Sequence, residues 1–448
     1  MDFVPLTDAE REQMLARIGV KSIEELFSDI PPKARLDRPL DLPNGMSEAE
    51  LAAHMRSLAA KNAHLDQYPS FLGGGAYDHL VPAAVRHILA RSEFYTAYTP
   101  YQAEVSQGVL QTIFEYQTLV CRLTGLDVAN ASMYDGASAA AEAALMAVAH
   151  TGRRRVLVSA AVHPEYRQVM ATYLGNQDVL LDTIPWRMGV TNLDALQHAL
   201  AQDVAAVVLQ NPNFFGSVEE MAAASAMAHG VGALFVAIVD PISLGILAPP
   251  GEYEADVAVG EGQGLGNAIS FGGPYLGFFA ARRELVRRMP GRIVGLTKDV
   301  DGRRGFVLTL QTREQHIRRE RATSNICTNQ ALNALAATVY LAMLGPKGVR
   351  RVAELSLQKA HYAFDSLVAE VPGIRPMWDA PFFKEFVVEV DGEVGELLTR
   401  LWQDYNILGG LPLAGSYQGL DRGVLWCVTE ARTREEIDRL VLALKAIA

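Results

Sequence analysis

The sequence has few cysteines, and they do not form the pattern of a metal site or a disulfide framework. Cys121, Cys327 and Cys427 are scattered along 448 residues, with neither the close spacing of a metal site nor the even number that complete pairing needs. The acidic N-terminus lacks the basic and apolar segments of a secretory signal. No apolar run approaches the roughly 20 residues that span a bilayer. We therefore expect a cytoplasmic protein in a reducing compartment.

The sequence also lacks an excess of positive charge. Its net charge is -11, with 40 lysines and arginines against 51 acidic residues, so no basic surface is expected for nucleic acid. Half of the residues are apolar and a fifth are charged, which is ordinary globular composition. The length is enough for two or three domains with a sizeable core.

One segment is rich in glycine and has no basic residue. Residues 256–277 contain seven glycines and no lysine or arginine. Glycines at this density allow a close approach of backbone to backbone or to a ligand. The segment is therefore either a crowded binding site or a loop of tight turns between two short strands.

The N-terminal part of the chain predicts short helices without a core of their own. A hydroxyl residue is followed three positions later by glutamate, the pattern of a capping box, in three places: Thr7 with Glu10, Ser22 with Glu25, and Ser47 with Glu50. Four prolines interrupt residues 31–43. We interpret residues 1–65 as a helical arm.

A cluster of aromatic and polar residues follows at 94–107, with the sequence FYTAYTPYQAEVSQ. Its composition is typical of a concave binding site or an interface, although a structural surface loop would also accommodate it. The candidate residues are Tyr95, Tyr98, Tyr101 and Gln102. Apolar spacing then predicts a helix over 108–124.

Asp135, Gly136 and Ser138 precede an alanine-rich helix. The free N–H groups and the positive dipole end of such a helix favour an anion, most simply a phosphate. An ordinary capped helix in the core explains the same spacing.

Residues 155–281 predict a mainly parallel sheet with helices on both faces, because short apolar runs alternate with amphipathic segments. The seven predicted strands are 156–159, 179–184, 204–209, 234–239, 257–259, 268–271 and 276–280. His163, residues 211–213 (Asn-Pro-Asn) and Asp240 follow three of these strands, at the edge where such sheets bind ligands. Each also has a simple structural explanation, as a turn or a helix cap.

The C-terminal part predicts a smaller α+β domain. A helical stretch over 313–344 and a long helix over 348–369 are followed by a strand over 382–390, a helix over 393–405, a strand over 423–429 and a helix over 433–447. We therefore divide the chain into an arm (1–65), a large α/β domain (66–345), and a linking helix with a small domain (346–448).

The order of these features resembles the fold-type I pyridoxal-phosphate enzymes. Three segments narrow the resemblance to the P-protein family of the glycine cleavage system, in its subunit 1 form: residues 94–108, residues 260–277 (GEGQGLG to FGGPYLG), and residues 319–330 (RERATSNICTNQ). The resemblance covers essentially the whole chain. It implies an α/β fold of the pyridoxal-phosphate-transferase type, with a mainly parallel seven-stranded sheet and a small α+β C-terminal domain.

The resemblance also implies roles for individual residues. Asp240 corresponds to the aspartate on the pyridine nitrogen, His163 to the histidine on the ring face, and Asp135 to Ser138 to the phosphate turn. Gln263 stands nearest to the position of the lysine that forms the Schiff base, and no lysine follows Asp240 in that stretch. We therefore expect this pocket to be degenerate and pyridoxal phosphate to be bound by the partner chain.

The implied partners are glycine dehydrogenase subunit 2, the lipoylated H-protein and glycine. The implied assembly is a heterotetrameric oxidoreductase that decarboxylates glycine and passes its aminomethyl group to the lipoyl arm. This chain would lend Tyr95, Tyr98, Tyr101 and Gln102 across the interface, with residues 323–328 as a further candidate segment.

Two other functions are compatible with parts of the sequence. The chain would be an independent pyridoxal-phosphate enzyme only if an imine-forming lysine lay near the glycine-rich segment, and none does. It would be a purely structural scaffold if it stabilised subunit 2 without contributing to the active site.

Overall fold

The computed structural model describes residues 6–36 and 38–448, and the chain divides into two units, residues 1–63 and 64–448. The first unit contains helices α1 (Asp8–Ile18) and α2 (Glu48–Ala59) and two short 3-10 turns, Glu24–Phe27 and Pro32–Ala34. None of the described residues in these four elements is buried. The described residues of this unit therefore form helices but no hydrophobic core.

Two of the three predicted capping boxes are confirmed. The pairs Thr7 with Glu10 and Ser47 with Glu50 make both reciprocal hydrogen bonds. The prediction at Ser22 was wrong, because the Glu25 carboxylate accepts instead from the Lys21 N–H at 3.1 Å, and only a 3-10 turn forms there.

The second unit is built on a seven-stranded sheet, in the order β1-β9-β8-β7-β6-β2-β3. Six of its strands overlap predicted ones, whereas β1 was not predicted. The strands in this half of the chain are β1 (Val128–Ala129), β2 (Arg155–Ser159), β3 (Leu180–Ile184), β4 (Trp186–Arg187), β5 (Val190–Thr191), β6 (Val204–Asn211), β7 (Leu234–Val239), β8 (Val257–Glu261) and β9 (Gly277–Ala281). Neighbours from β3 to β8 run parallel, whereas β9 is antiparallel to both β8 and β1. Strands β4 and β5 form a separate hairpin.

Helices cover both faces of this sheet, as the alternating pattern predicts. The helices of this half of the chain are α3 (Ala83–Leu89), α4 (Ser92–Tyr95), α5 (Gln107–Thr124), α6 (Gly136–Thr151), α7 (Pro164–Gly175), α8 (Leu193–Ala199), α9 (Met221–Gly230), α10 (Gln315–Arg318) and α11 (Ala331–Glu370), of which the short α4 and α10 bury no residue. Apolar residues of α5, α9 and α11 form the core on one face, and those of α6 and α7 form the core on the other. The small side chains of α6 let it lie directly on the sheet, where alanines such as Ala140 and Ala143 are fully buried.

Two predicted elements are wrong. Residues 268–271 form no strand, because Phe271, Gly272 and Gly273 take positive φ values of 47°, 95° and 127° that a strand does not accommodate. The helical stretch expected over 313–344 begins only at Ala331. The preceding residues form only the short helix α10 between two 3-10 turns, and residues 322–330 form neither helix nor strand. Side-chain bonds tie this last part to distant residues, including one from Ser324 Oγ to Glu142 Oε1 at 2.8 Å and one from Asn329 Nδ2 to Ser132 Oγ at 2.6 Å.

The C-terminal part forms a second, antiparallel sheet within the same unit. In the part of the sequence between the two sheets, β10 (Ile293–Lys298) pairs with β11 (Arg304–Thr309) as a separate two-stranded sheet. The second sheet has the order β12-β13-β15-β14, with β12 (Ile374–Pro376), β13 (Glu385–Val390), β14 (Leu411–Pro412) and β15 (Gly423–Cys427). Helices α12 (Val394–Tyr405) and α13 (Arg434–Ile447) accompany it, as predicted.

Helix α11 is interrupted at Gly345, whose φ and ψ of 57° and -178° are not helical, and Pro346 follows it. This is the break that the sequence predicts between its two helical stretches. Within the described ranges, no helix combines the length and the apolarity needed to cross a membrane.

Candidate functional site

The carboxyl ends of the parallel strands and the C-terminal domain enclose a small polar pocket. His163 lies beyond β2, Asp240 follows β7, and Glu261 ends β8, while Lys384 and Glu385 enter from the start of β13. The remaining cavity is about 40 Å³. That volume holds one or two water molecules, whereas ligand pockets usually measure roughly 300 to 1,000 Å³.

Asp240 in this pocket is paired with a lysine of the C-terminal domain. Its Oδ2 atom lies 2.6 Å from Lys384 Nζ, and both side chains are largely buried. Its Oδ1 atom accepts the Ile242 N–H at 2.9 Å, which is the turn role that the sequence allows. Burial raises the pKa of Asp240, but the charge and hydrogen bond of Lys384 outweigh it and hold that pKa below its usual value.

Lys384 has two further partners that fix its position. Its Nζ atom lies 3.4 Å from the centre of the Tyr77 ring and 3.0 Å from His79 Nε2. His79 Nδ1 lies 2.6 Å from Glu430 Oε2, so the proton of the neutral ring belongs on Nδ1 and Nε2 accepts from the ammonium. An ammonium held by a carboxylate, an imidazole and an aromatic face is not a free amine, and it is not a nucleophile in this state.

The neighbouring Glu385 is also buried and belongs to the same cluster. It accepts the Gly74 N–H at 2.7 Å and the Tyr77 hydroxyl at 2.8 Å. Burial raises the pKa of Glu385 to about 7 despite these bonds and the charge of Lys384. The pair Lys384 and Glu385 therefore joins the C-terminal domain to the loop before α3.

The phosphate turn predicted at Asp135 to Ser138 is occupied by acidic side chains of the chain itself. Asp135 caps α6 by accepting the Ser138 N–H at 2.7 Å. Glu261 Oε2 accepts the Gly136 N–H at 3.1 Å, and Glu261 Oε1 accepts from the N–H groups of Gln263 and Leu276 at 3.0 and 2.8 Å. Burial raises the pKa of Glu261 to about 7, although these three bonds favour its charged form.

His163 lines this cavity, and both of its ring nitrogens are engaged. Nδ1 accepts the Glu165 N–H at 3.1 Å, and Nε2 donates to the Gly74 carbonyl at 2.8 Å. The Tyr166 ring stacks against it, with centroids 5.1 Å apart and an interplanar angle of 29°. Burial lowers the pKa of His163, which agrees with a neutral ring.

Gln263 does not line this cavity. Its Oε1 atom accepts the Tyr77 N–H at 2.9 Å, and its Nε2 atom donates to the carbonyls of Tyr77 and Asn267. These bonds tie the glycine-rich segment to the loop before α3. Of the candidate residues, His163 and Asp240 line the pocket and Gln263 does not. Asp135, Gly136 and Ser138 lie beside it at the N-terminus of α6, joined to the lining residue Glu261 by the Gly136 N–H. The lining also includes Glu261 and Lys384, which the sequence does not single out.

A second, larger cavity lies beside the aromatic loop. It measures about 300 Å³, at the lower end of the usual range for small-molecule sites. Three segments singled out from the sequence meet here: the aromatic loop with Tyr95 and Tyr98, the end of the glycine-rich segment with Pro274, and the residues around Thr328. Tyr95 and Tyr98 are 69% and 80% exposed, so most of their surface is free to contact another molecule.

Tyr101 and Gln102 differ from these two tyrosines, because neither lines the cavity. The Tyr101 hydroxyl accepts from Arg292 Nη2 at 2.8 Å, and the guanidinium lies 5.2 Å from the Tyr101 ring centre. Gln102 is exposed just before the turn that leads into α5. Tyr101 therefore anchors the loop to the buried Arg292, whereas Tyr95 and Tyr98 form its free face.

Comparison with known proteins gives consistent matches over the whole chain. A family model described as glycine cleavage system P-protein matches residues 1–444. A protein of Carboxydothermus hydrogenoformans, named probable glycine dehydrogenase (decarboxylating) subunit 1, is 59% identical over 441 residues, or 98% of each chain. A protein of Moorella thermoacetica with the same name is 57% identical over 447 residues, which cover both chains completely.

Comparison with solved structures also finds a P-protein that is similar over the whole chain. The crystal structure of an inhibitor-bound glycine decarboxylase (P-protein) of the glycine cleavage system superposes with a TM-score of 0.91 at 47% identity, over all of both chains. A sphingosine-1-phosphate lyase of Burkholderia pseudomallei superposes with a TM-score of 0.67 at 16% identity, covering 93% of this chain and 94% of the other, which shows the fold alone. The predicted fold class is confirmed.

Proposed function

Because the chain belongs to the glycine cleavage system P-protein family, we propose that it is the subunit of the glycine-decarboxylating enzyme that does not itself bind pyridoxal phosphate. It pairs with glycine dehydrogenase subunit 2, which binds the cofactor through a lysine of its own. The pair decarboxylates glycine and transfers the aminomethyl group to the lipoyl arm of the H-protein. The cofactor supplies the electron sink for the decarboxylation.

The observation that supports this division of labour is the pairing of Asp240 with Lys384. Lysine is the residue that forms an imine with the cofactor, and Lys384 is the only lysine that lines the strand-end cavity among the described residues. Its ammonium is engaged by Asp240 at 2.6 Å. The remaining 40 Å³ is too small for a pyridine ring with a phosphate. The residues present do not fit the cofactor.

The contribution of this chain to the reaction is then made at its surface. Tyr95 and Tyr98 present free hydroxyl groups and aromatic faces beside a cavity whose other walls carry the amides of Asn329 and Asn333. The wall carries no charged side chain and is mainly apolar, with a few amide and hydroxyl groups, which suits the neutral lipoyl arm. We propose that Tyr95, Tyr98 and the exposed Gln102 reach the active site of subunit 2, and that Tyr101, through its bond to Arg292, holds the loop in position for them.

A purely structural scaffold is the second candidate, because an interface alone would also cover the exposed aromatic residues. Phe271 is 98% exposed in the turn of the glycine-rich segment, which places another large apolar side chain on the surface. Burial of such residues against a partner stabilises an assembly without any catalytic role. The two candidates differ in what Tyr95 and Tyr98 do once the assembly has formed.

Cofactor binding tests the proposal directly. The purified chain is incubated with pyridoxal phosphate and then with borohydride. We expect no visible absorption band that borohydride removes and fixes on this chain, whereas subunit 2 should show one. Glycine-dependent exchange of carbon dioxide should require both chains. A fixed adduct on this chain, located by mass spectrometry at Lys384 or another lysine, would overturn the proposal.

A further inference from the structure

We infer that the strand-end pocket is filled from within: the Lys384 ammonium and the Glu261 carboxylate occupy the two places where a pyridoxal-phosphate ring nitrogen and phosphate would bind. This inference rests on the proposed function, in which the cofactor binds to the partner. It adds the physical reason why this chain excludes the cofactor and remains folded without it.

The first part of the inference concerns the end of the pocket at Asp240 and Lys384, which we call the cationic end. An aspartate that serves this cofactor holds the protonated ring nitrogen, which is a buried cation with one N–H donor. In this chain Asp240 holds the Lys384 ammonium at 2.6 Å, and the aromatic face of Tyr77 lies 3.4 Å from the same nitrogen. Lys384 therefore supplies the positive charge and the donor that the ring would supply.

The second part concerns the end at Glu261 and the N-terminus of α6, which we call the anionic end. The N-terminus of a helix binds a phosphate through free N–H groups and the positive end of the dipole. At the N-terminus of α6, the Gly136 N–H donates to Glu261 Oε2 at 3.1 Å and the Ser138 N–H donates to Asp135. Two carboxylates therefore accept from two of the N–H groups that would otherwise bind a phosphate.

The space between the two ends is also occupied. The Tyr166 ring stacks on His163, the residue that the resemblance assigns to the face of the cofactor ring. The Tyr166 hydroxyl packs so closely on Gly136 that a Cβ atom there would lie 2.1 Å from it. A planar group with a phosphate would have to displace Tyr166, Lys384 and Glu261 together. One substitution that removes a single one of them should open only one end.

The cationic end is tested with Lys384→Ala in the full chain. The probes are n-butylammonium, which resembles the lost side chain, and 4-aminopyridinium, an aromatic cation at neutral pH. The matched control is Lys359→Ala, since the Lys359 ammonium bonds only to the main-chain carbonyls of Glu430 and Arg432. We expect both probes to raise the melting temperature of Lys384→Ala by several degrees at millimolar concentration, and to leave the wild type and Lys359→Ala unchanged.

The anionic end is tested independently with Glu261→Ala and inorganic phosphate. The control is Glu142→Ala, which removes a buried glutamate within α6, away from the N-terminus that Glu261 contacts. Phosphate should raise the melting temperature of Glu261→Ala only. If one of the variants is insoluble on its own, recovery of folded protein only when its probe is present during refolding supports the inference, and insolubility with and without the probe counts against it.

The results also separate this inference from the proposed function. Folded variants that respond to no probe, or a wild-type chain that binds the probes as strongly as the variants do, would overturn the inference while the absence of a cofactor adduct still stands. Saturable binding of pyridoxamine 5′-phosphate to the wild-type chain alone would overturn both.

Discussion

Lys384 and Asp240 form a buried ion pair of 2.6 Å between residues that lie 144 positions apart in the sequence. The lysine comes from the C-terminal domain and the aspartate from the end of a central strand of the large sheet. The pair therefore joins the two sheets of the second unit at the place where the fold usually binds its ligand.

Breaking this pair on one side should destabilise the chain strongly. Lys384→Met leaves the buried Asp240 carboxylate without its cation, and we expect a loss of about 3 to 5 kcal/mol in the free energy of unfolding. Adding Asp240→Asn removes the uncompensated charge, so the double variant should recover most of the loss. Urea unfolding of the four proteins gives the coupling energy. Additive losses would show that the two residues do not depend on each other.

The aromatic loop should affect turnover rather than assembly. Tyr95→Phe and Tyr98→Phe keep the rings and remove only the hydroxyl groups. If these groups bind the charged substrate, each change should lower the rate of glycine-dependent carbon dioxide exchange on the order of tenfold. Size-exclusion chromatography with subunit 2 should show an unchanged complex.

Tyr405→Phe, at the end of α12, is the matched control for these two variants. It should leave the exchange rate unaltered. Full activity in both loop variants would favour the scaffold function instead.

Glu142 should make the stability of the chain depend on pH. Burial raises its pKa from 4.5 to about 7, so the folded state binds this proton more tightly than the unfolded chain does. The resulting stability is complete below about pH 4.5 and is lost as the pH rises through about 7, by up to about 3 kcal/mol.

Glu142→Gln removes this titration but keeps an acceptor for the Ser324 hydroxyl. The variant should therefore gain stability relative to the wild type as the pH rises from 5 to 8. Chemical unfolding at several pH values measures the difference, and Glu252→Gln on an exposed loop serves as the control. A constant difference across this range would contradict the assignment.

Gly216 should tolerate no side chain, because it lies against the strand that carries Lys384. A Cβ atom there would be 2.0 Å from the Glu385 carbonyl oxygen, and φ is +82°. Gly152 has a similar φ of +70° but open space around it. Gly152→Ala should therefore cost only the roughly 1 to 2 kcal/mol of a left-handed alanine.

Gly216→Ala adds a steric clash with the backbone to that cost. We expect it to lower the unfolding midpoint much further than Gly152→Ala, or to prevent folding. Equal effects of the two changes would mean that the backbone at Glu385 moves away from the added methyl group at little cost in free energy.

Local signals in the sequence predicted most of the elements correctly. Val204 to Leu209 lie in a strand because a continuous apolar run suits a position buried on both faces of a parallel sheet. Thr7 and Ser47 begin helices because their capping bonds span only three residues. The failures at Phe271 and at residues 313–330 have the opposite cause, since there the backbone follows glycine turns and bonds to distant side chains.

The sequence by itself determined the fold class and the absence of a lysine between Asp240 and the end of the glycine-rich segment at Gly277, because both depend on residues that are close together in the chain. Only the tertiary structure decided what occupies the pocket in place of a cofactor. In the sequence, Lys384 is simply a charged residue at the start of a predicted strand, and Glu261 is an acidic residue between glycines. Nothing in the sequence near either residue indicates its role. Their partners, Asp240 and the N-terminus of α6, lie more than a hundred residues away in the sequence. The C-terminal domain packs against the strand ends and brings Lys384 to Asp240, and β8 ends beside the N-terminus of α6 and so brings Glu261 to it. Because these groups are buried, each needs a partner inside the protein.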